Sequence, residues 1–243
     1  MKTEIFTLLS NKKIAKNTYE WLLSGDMSDI TAPGQFVNIQ LDGFYLRRPI
    51  SVCDSEKGQL TLIFKAVGEG TAKMAKMLPG EKLDILTGLG NGYDTALAGN
   101  SPLLIGGGAG VPPMYMLAKE LISAGKKPAV ILGFGSSDEV FYKEEFENLG
   151  ASVIVTTVDG SYGVKGFVTD AMIDLNYTYF YTCGPEPMLK AIYDKSTTSG
   201  QFSFEERMGC GFGACMGCSC KTKYGNKRIC RDGPVLIKEE IIW

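Results

Sequence analysis

The chain of 243 residues contains no histidine. This absence excludes Ser-His-Asp and Cys-His nucleophiles, histidine-ligated zinc or haem, and Rieske clusters. The sequence also lacks a basic excess, because 25 Lys and Arg face 27 Asp and Glu. A nucleic-acid-binding protein needs cations to neutralise phosphates, so we expect no nucleic-acid partner.

The sequence also shows no pattern typical of a targeting signal or a membrane span. The start, MKTEIF, has no apolar core typical of a secretory signal, so we expect none. Residues 95–118 carry no charge and could cross a bilayer by length, but prolines and a glycine run interrupt them. Lipid cannot satisfy the backbone at such a break, which favours a buried strand, a glycine loop and a helix. We therefore expect no membrane contact.

The residues that are present describe a globular protein. Apolar residues make up 44% and charged residues 21%, which supports a sizeable core in one or two domains. Glycine is abundant at 30 residues, where ~7% of the chain is usual. Such a content indicates many tight turns and close approaches of backbone to ligands.

The secondary-structure pattern changes twice along the chain. Residues 1–98 contain short runs rich in β-branched and aromatic residues, separated by turns such as Lys57-Gly58, and predict an antiparallel β-barrel. Residues 99–200 alternate apolar strands with helices and predict a parallel-sheet α/β domain. Residues 201–243 form a cysteine-rich segment. The predicted fold class is a multidomain α+β and α/β protein.

Five of the seven cysteines lie within 21 residues, between Cys210 and Cys230. Cys210, Cys215, Cys218 and Cys230 have the C-x4-C-x2-C…C spacing of plant-type [2Fe–2S] proteins. The alternatives are a four-cysteine zinc site, although that site usually pairs two C-x2-C units, and disulfides. Cys220 could replace Cys218 as a ligand. A metal-bound, otherwise reduced set of thiols predicts a cytoplasmic protein.

Two motifs in the α/β part indicate a dinucleotide. The run from Gly106 to Pro113 follows a buried strand and opens a helix, with the spacing G-x-G-x-G-x-P. Such glycines let the backbone approach a pyrophosphate at a helix N-terminus. Cys183-Gly-Pro-Glu-Pro-Met188 follows a later strand, at the sheet edge where α/β folds bind ligands. Ordinary strand–helix turns, the second with an inert buried cysteine, are the alternative.

Two weaker motifs lie in the barrel part. Arg47 and Arg48 begin a predicted strand, where a guanidinium fork could hold a phosphate if it is not a solvated face. Residues Lys65–Thr71 lead from a strand into a helix start, whose exposed N–H groups suit an anion.

In their order, these motifs resemble those of the ferredoxin–NADP reductase superfamily over residues 1–200. The resemblance implies FAD bound by the barrel and NAD(P) bound by the α/β domain. It also implies that Cys183 lies near the flavin–nicotinamide contact, as a catalytic-site positioning residue rather than a nucleophile. The implied FAD contacts are Arg48, Pro49, Ile50, Ser51, Lys65, Ala66, Val67, Gly70 and Thr71. The implied NAD contacts are Gly106, Gly107, Gly108, Gly110, Pro112, Gly184, Pro185 and Met188.

The segment from Glu206 to Val235 looks like that of electron-transfer subunits of class 1B dihydroorotate dehydrogenase. With it, the resemblance spans the whole chain. It implies that the four cysteines hold a [2Fe–2S] cluster, and that electrons pass between NAD(H), FAD, the cluster and an FMN-containing catalytic subunit. The implied assembly is a heterotetramer with two copies of each subunit, working in pyrimidine (UMP) biosynthesis. The substrate would then be oxidised by the partner.

Other functions stay open from the sequence. Subunits of NADH-dependent ferredoxin:NADP oxidoreductase and of cytosolic hydrogenases share the domain order, although an Asp in place of the first cluster cysteine distinguishes the former. A non-enzymatic redox-sensing metal module is the remote alternative. Asp138 and Glu139 follow the second strand of the α/β part without a base among them, which favours NAD over NADP.

Overall fold

The computed structural model describes residues 1–56 and 58–243. Lys57, in the predicted turn Lys57-Gly58, lies outside the described residues. Among the described helices, none combines the length and the apolar character that a membrane span requires.

The N-terminal part is a closed antiparallel barrel with the strand order β1-β2-β5-β4-β3-β6. Along β6, buried side chains alternate with partly exposed ones, as a strand with one face on a core requires. No strand was predicted over this segment, although its residues show the alternation. The six strands are β1 (Lys2–Ala15), β2 (Thr18–Ser24), β3 (Phe36–Ile39), β4 (Arg48–Glu56), β5 (Gln59–Lys65) and β6 (Lys82–Leu89).

A short helix, α1 (Glu69–Met74), follows β5. It begins directly after Gly68, because the Thr71 hydroxyl accepts the N–H groups of Val67 at 3.1 Å and of Gly68 at 3.2 Å. These bonds close the first turn at Gly68 and place the helix start beside the end of β5.

The central part is a seven-stranded sheet with the order β10-β9-β8-β7-β11-β12-β15. All neighbours pair in parallel except β12 and β15. This confirms the predicted parallel-sheet α/β architecture. The strands are β7 (Pro102–Gly107), β8 (Ala129–Phe134), β9 (Ser152–Thr157), β10 (Val164–Lys165), β11 (Tyr179–Cys183), β12 (Gly200–Ser203) and β15 (Val235–Ile237). The helices beside them are α2 (Pro112–Ser123), α3 (Lys143–Asn148), α4 (Val168–Ala171) and α5 (Glu186–Lys195).

The sheet carries its core on both faces. Every residue of the central strand β7 is buried, as expected for a parallel strand covered on each side. Leu104 packs on one face with Leu117 and Tyr181, whereas Leu103 packs on the other with Phe180 and Phe202. The uncharged stretch 95–118 is thus a buried strand, a glycine loop and the start of α2, as predicted.

The cysteine-rich segment folds back onto this sheet. Between β12 and β15 lie the hairpin strands β13 (Ser219–Thr222) and β14 (Gly225–Arg228) and the helix α6 (Ile229–Asp232). Residues 235–237 then pair antiparallel with β12. Strand β12 ends at Ser203, because residues 204–206 turn away from the sheet and line the cavities described below.

Polar contacts join the barrel to the sheet domain. The Tyr142 hydroxyl donates to Glu20 at 2.7 Å, and Lys119 pairs with Asp54 at 2.7 Å. These contacts fix how the barrel edge faces the carboxyl ends of the sheet strands, where the predicted motifs lie.

Candidate functional site

A cleft of about 320 Å³ lies at this junction, between the barrel, the glycine loop and the cysteine-rich segment. We call it the first cleft. Its barrel wall includes six of the nine predicted FAD contacts. Those six are Pro49, Ile50, Ser51, Lys65, Val67 and Thr71.

Of the two adjacent arginines, only Arg48 is directed to the helix start beside the cleft. Its guanidinium lies over the Phe44 ring at 4.7 Å, and a Cβ on Gly70 would approach its Nε to 2.2 Å. Gly70 therefore leaves the space that the Arg48 side chain occupies. Arg47 instead pairs with Asp84 at 2.7 Å and donates to the carbonyl of Asn38 at 3.2 Å. Arg47 therefore forms its contacts within the barrel.

Lys65 lies where the two domains meet. Its ammonium group pairs with Glu139 at 2.9 Å, and its side chain lines the first cleft. In the neighbouring turn, Lys16 pairs with Asp138 at 2.9 Å. Asp138 and Glu139 have no basic residue close to them in the sequence, but in the structure each pairs with a lysine of the barrel.

The glycine loop and the Cys-Gly-Pro turn are adjacent in the structure. Cys183 pairs with Gly106 across β11 and β7, and a Cβ on Gly110 would lie 2.2 Å from the Cys183 carbonyl oxygen. Only a residue without a side chain allows this approach. Met188 packs against both Gly107 and Gly184. Two segments separated by about 75 residues of sequence therefore form one edge, as dinucleotide-binding α/β folds require.

The thiol of Cys183 is buried beneath this edge. Burial raises the pKa of Cys183 well above its ordinary value, and the charge of Glu205 raises it further. A neutral, buried thiol is a poor nucleophile, which agrees with the predicted positioning role. Its contact with flavin and nicotinamide stays a prediction.

A second cavity, of about 360 Å³, begins at the Cys-Gly-Pro turn. Gly184 and Pro185 line it, together with Glu186 at the start of α5. On its other side lie the hairpin strand β13 and the terminal Trp243. The Trp243 ring packs against Phe204 with 5.7 Å between centroids, so the terminus is held in place.

Residues 204–206 form the wall between the two cavities. Phe204, Glu205 and Glu206 line both of them. These three residues are not among the predicted site residues. Their position directly after a sheet strand, at the ligand-binding edge, was the available signal.

The remaining predicted contacts do not line either cavity. Gly108 borders a small recess together with Lys65. The others lie in the same strands, turns and helix starts as the lining residues or directly beside them in sequence, and their ligand contacts stay predictions. They are Arg48, Ala66, Gly70, Gly106, Gly107, Gly110, Pro112 and Met188.

The cysteine loop turns backbone N–H groups toward its sulfur atoms. Cys210 Sγ accepts the N–H of Ala214 at 3.2 Å and of Cys215 at 3.4 Å. The N–H of Cys230 donates to Cys218 Sγ at 3.4 Å. Burial opposes ionisation of Cys210, but these and nearby N–H groups lower the pKa of its thiol to about 6. Hydrogen bonds of this kind stabilise negative sulfur ligands.

The four thiols are arranged as two pairs. Cys210 contacts Cys215, and Cys230 contacts Cys218, where burial and the second thiol raise the pKa of Cys230 to about 12. Within residues 1–56 and 58–243, no three metal-ligating side chains converge on one ion. Two pairs suit a two-iron cluster, in which each iron takes two thiolates, better than a four-thiolate zinc site. Cys220 instead lines the second cavity.

Two family models match the chain. Residues 205–242 match the iron-sulfur cluster binding domain of dihydroorotate dehydrogenase B, and residues 104–194 match the oxidoreductase NAD-binding domain. The dihydroorotate dehydrogenase B (NAD(+)) electron transfer subunit of Fusobacterium nucleatum is 44% identical, covering 99% of both chains. That of Geobacillus sp. is 43% identical, covering 100% of this chain and 99% of its relative.

The chain belongs to the family of dihydroorotate dehydrogenase B electron transfer subunits. This confirms the resemblance drawn from the cysteine segment. The family's iron-sulfur model also confirms an iron–sulfur site over the zinc alternative, and the NAD-binding model confirms the assignment of the sheet domain.

Solved structures agree with this family's fold. The structure of an NADH-dependent reduced ferredoxin-NADP oxidoreductase, studied for flavin-based electron bifurcation, matches with a TM-score of 0.88 and 30% identity, covering 98% of this chain and 89% of that one. A ferredoxin NADP+ reductase from Neisseria gonorrhoeae matches with a TM-score of 0.69 at 18% identity, covering 80% and 90%. The predicted barrel, NAD domain and cluster segment are thereby confirmed as a fold.

Proposed function

We propose that this chain is the electron transfer subunit of a dihydroorotate dehydrogenase B. It carries electrons between NAD(H) and an FMN-containing catalytic subunit through its own FAD and [2Fe–2S] cluster. The pathway served is pyrimidine (UMP) biosynthesis. Dihydroorotate is oxidised to orotate in the partner, and we expect this chain to bind neither compound.

One observation carries the proposal most directly. Met208 lines the first cleft, and Cys210 begins the cysteine loop two residues later. Asn38 of the barrel donates to the Cys210 carbonyl at 3.4 Å. The cleft and the cluster loop are therefore neighbours in space, as electron transfer between two cofactors requires.

The residues present fit the two cofactors. FAD exchanges a hydride with NAD(H) and single electrons with the cluster, and the protein supplies position and tuning. In the first cleft, the β4 residues Pro49–Ser51 and the turn around Thr71 would hold the flavin, with the Arg48 guanidinium on its phosphates. Cys210, Cys215, Cys218 and Cys230 would hold the cluster. The dinucleotide would lie along the glycine loop and the Cys-Gly-Pro turn.

The assembly and location follow the same proposal. Two copies of this chain and two catalytic subunits form a heterotetramer in the cytoplasm. All seven cysteines are free thiols in the structure, which a reducing compartment preserves.

An anaerobic pull-down of the tagged chain from its native cells tests the partner. We expect an FMN-containing dihydroorotate dehydrogenase subunit at about one to one, identified by mass spectrometry. Reconstituted with it, the chain should make orotate formation depend on NAD+. Binding of orotate to the chain alone, or failure to capture such a subunit, would contradict the proposal.

A second candidate is a subunit of a ferredoxin or hydrogenase oxidoreductase. The 0.88 TM-score with the ferredoxin-NADP oxidoreductase structure supports it. Capture of a ferredoxin-linked or hydrogenase partner in the same pull-down would keep the cofactors and change the pathway. The higher identity to dihydroorotate dehydrogenase B subunits favours the first candidate.

A further inference from the structure

A carrier that transfers hydride also moves a proton, whereas a carrier of single electrons does not. A hydride is two electrons and one proton, whereas an iron–sulfur cluster exchanges electrons only. Under the proposed function, on which this inference rests, each NADH therefore leaves one proton on the flavin that the cluster cannot take. The same proton must return when electrons flow toward NAD+.

Few groups in the first cleft can exchange that proton. The chain has no histidine, and Lys65 is ion-paired with Glu139. The hydroxyls of Ser51 and Thr71 do not ionise near neutral pH. Among the residues lining the cleft, the carboxylates of Glu205 and Glu206 remain.

Glu205 differs from Glu206 in its surroundings. Both line the first cleft and the second cavity. The charge of Glu205 acts on the buried Cys183 thiol at the sheet edge, whereas that of Glu206 acts on Cys220 of the hairpin. In the described chain, the Glu205 carboxylate accepts no hydrogen bond and forms no ion pair. It is thus available to a ligand at the edge where the dinucleotide motifs meet.

We propose that Glu205 carries the proton between the flavin cleft and the second cavity. As two electrons pass one at a time to the cluster, the proton released by the flavin moves to a Glu205 carboxylate oxygen and then to water in the second cavity. In the opposite direction, the carboxyl returns a proton before the hydride leaves for NAD+. Glu205 ends each cycle in the protonation state in which it began.

The surroundings of Glu205 support this role. The Glu205 side chain is exposed to the space of the two cavities, yet the surrounding protein raises the pKa of its carboxyl above the ordinary value. A pKa nearer the working pH favours both uptake and release of a proton. The titratable and charged groups around it are Lys65 of β5, Cys183 of β11, Glu186 of α5, the neighbouring Glu206, and Cys220 and Lys221 of β13.

The two half-reactions of the holoprotein test the proposal, because only one of them needs the proton acceptor. In anaerobic stopped flow, NADH first reduces the flavin, and a one-electron acceptor, ferricyanide, then reoxidises the protein. We expect Glu205→Gln to slow reoxidation by about 10²-fold, the lower range for a positioned acid–base group. Reduction by NADH should stay nearly unchanged. In the wild type, reoxidation should accelerate as pH rises through the Glu205 pKa, and this dependence should vanish in the variant.

Glu206→Gln is the control with the same change of charge, and Glu205→Asp should restore the pH dependence. Infrared difference titration gives a readout apart from turnover: a protonated carboxyl band should persist above the ordinary glutamate range in Glu206→Gln and be missing in Glu205→Gln. Equal slowing of both half-reactions, equal effects of the two Gln variants, or unchanged reoxidation would overturn the proposal. A wild-type holoprotein that NADH does not reduce would instead refute the proposed function.

Discussion

The cysteine loop and the first cleft differ in how their residues are assembled. The four predicted cluster ligands lie within 21 residues, and local backbone N–H groups contact their sulfur atoms. The cleft is lined by segments that are distant in sequence: β4, β5, the glycine loop and residues 203–208. A local site is readable from spacing, whereas a site between domains depends on packing.

This difference also predicts how each site fails. Loss of one local ligand should remove its cofactor and leave the rest of the chain in place. A single substitution in the cleft should weaken cofactor binding only partly, because contacts from several independent segments contribute to the affinity.

The largest effect is expected for Cys215→Ser. The substitution removes one of four thiolates, so we expect loss of the iron and of electron transfer to the partner, while NADH still bleaches the flavin. Iron analysis and visible spectroscopy measure it.

The matched control is Cys220→Ser. Cys220 lines the second cavity rather than pairing with another predicted ligand, so its variant should retain the iron. Iron loss in Cys220→Ser with retention in Cys218→Ser would instead assign Cys220 as the ligand.

A smaller effect is expected for Arg48→Ala. Its guanidinium lies beside the helix start at Gly70 and is proposed to hold the FAD phosphates. Hydrogen bonds to charged groups contribute ~1.5–3 kcal/mol, so FAD affinity should fall roughly 10- to 100-fold. Titration of the FAD-free protein with FAD, followed by fluorescence, measures the change.

Arg47→Ala is the matched control for Arg48→Ala. Arg47 pairs with Asp84 at 2.7 Å inside the barrel, so its loss should lower the melting temperature with little change in FAD affinity. If Arg47→Ala weakened FAD more than Arg48→Ala, the assignment of the two arginines would have to be exchanged.

Gly110→Ala should act on stability and NAD(H) binding together. The added Cβ would lie 2.2 Å from the Cys183 carbonyl oxygen, and such overpacking costs about 1–3 kcal/mol. Gly150→Ala is the control, because its φ of +93° is strained for alanine but its Cβ would meet open space. Urea unfolding should show the smaller loss for Gly150→Ala. Equal losses would contradict a dominant cost of the contact between the added Cβ and the Cys183 carbonyl.

The smallest effect concerns the choice of dinucleotide. Asp138 pairs with Lys16 at 2.9 Å, beside the strand end where a 2′-phosphate would bind. Asp138→Asn should free Lys16 and raise kcat/KM for NADPH several-fold relative to NADH. Asp174→Asn serves as a distant control. Comparable kcat/KM values for the two dinucleotides in the wild type would contradict the expected NAD preference.

Much of the site was predictable because its chemistry is local in sequence. The cysteine spacing predicted the cluster ligands, and the glycine loop after a buried strand predicted a dinucleotide edge. Strand β6 was not predicted, although buried and exposed residues alternate along its sequence. The wall formed by residues 204–206 had only a weak signal, its place after a sheet strand.

The sequence by itself determined the cofactor chemistry of this protein, because thiolate spacing and backbone freedom at glycines are properties of short segments. Only the tertiary structure decided that Arg48, and not Arg47, lies at the helix start beside the cleft. It also decided that Lys16 and Lys65 pair with Asp138 and Glu139, and that Glu205 lies between two cavities. These relations join residues tens to more than a hundred positions apart. The closing of the barrel and its packing against the sheet set their distances, and no local pattern encodes them.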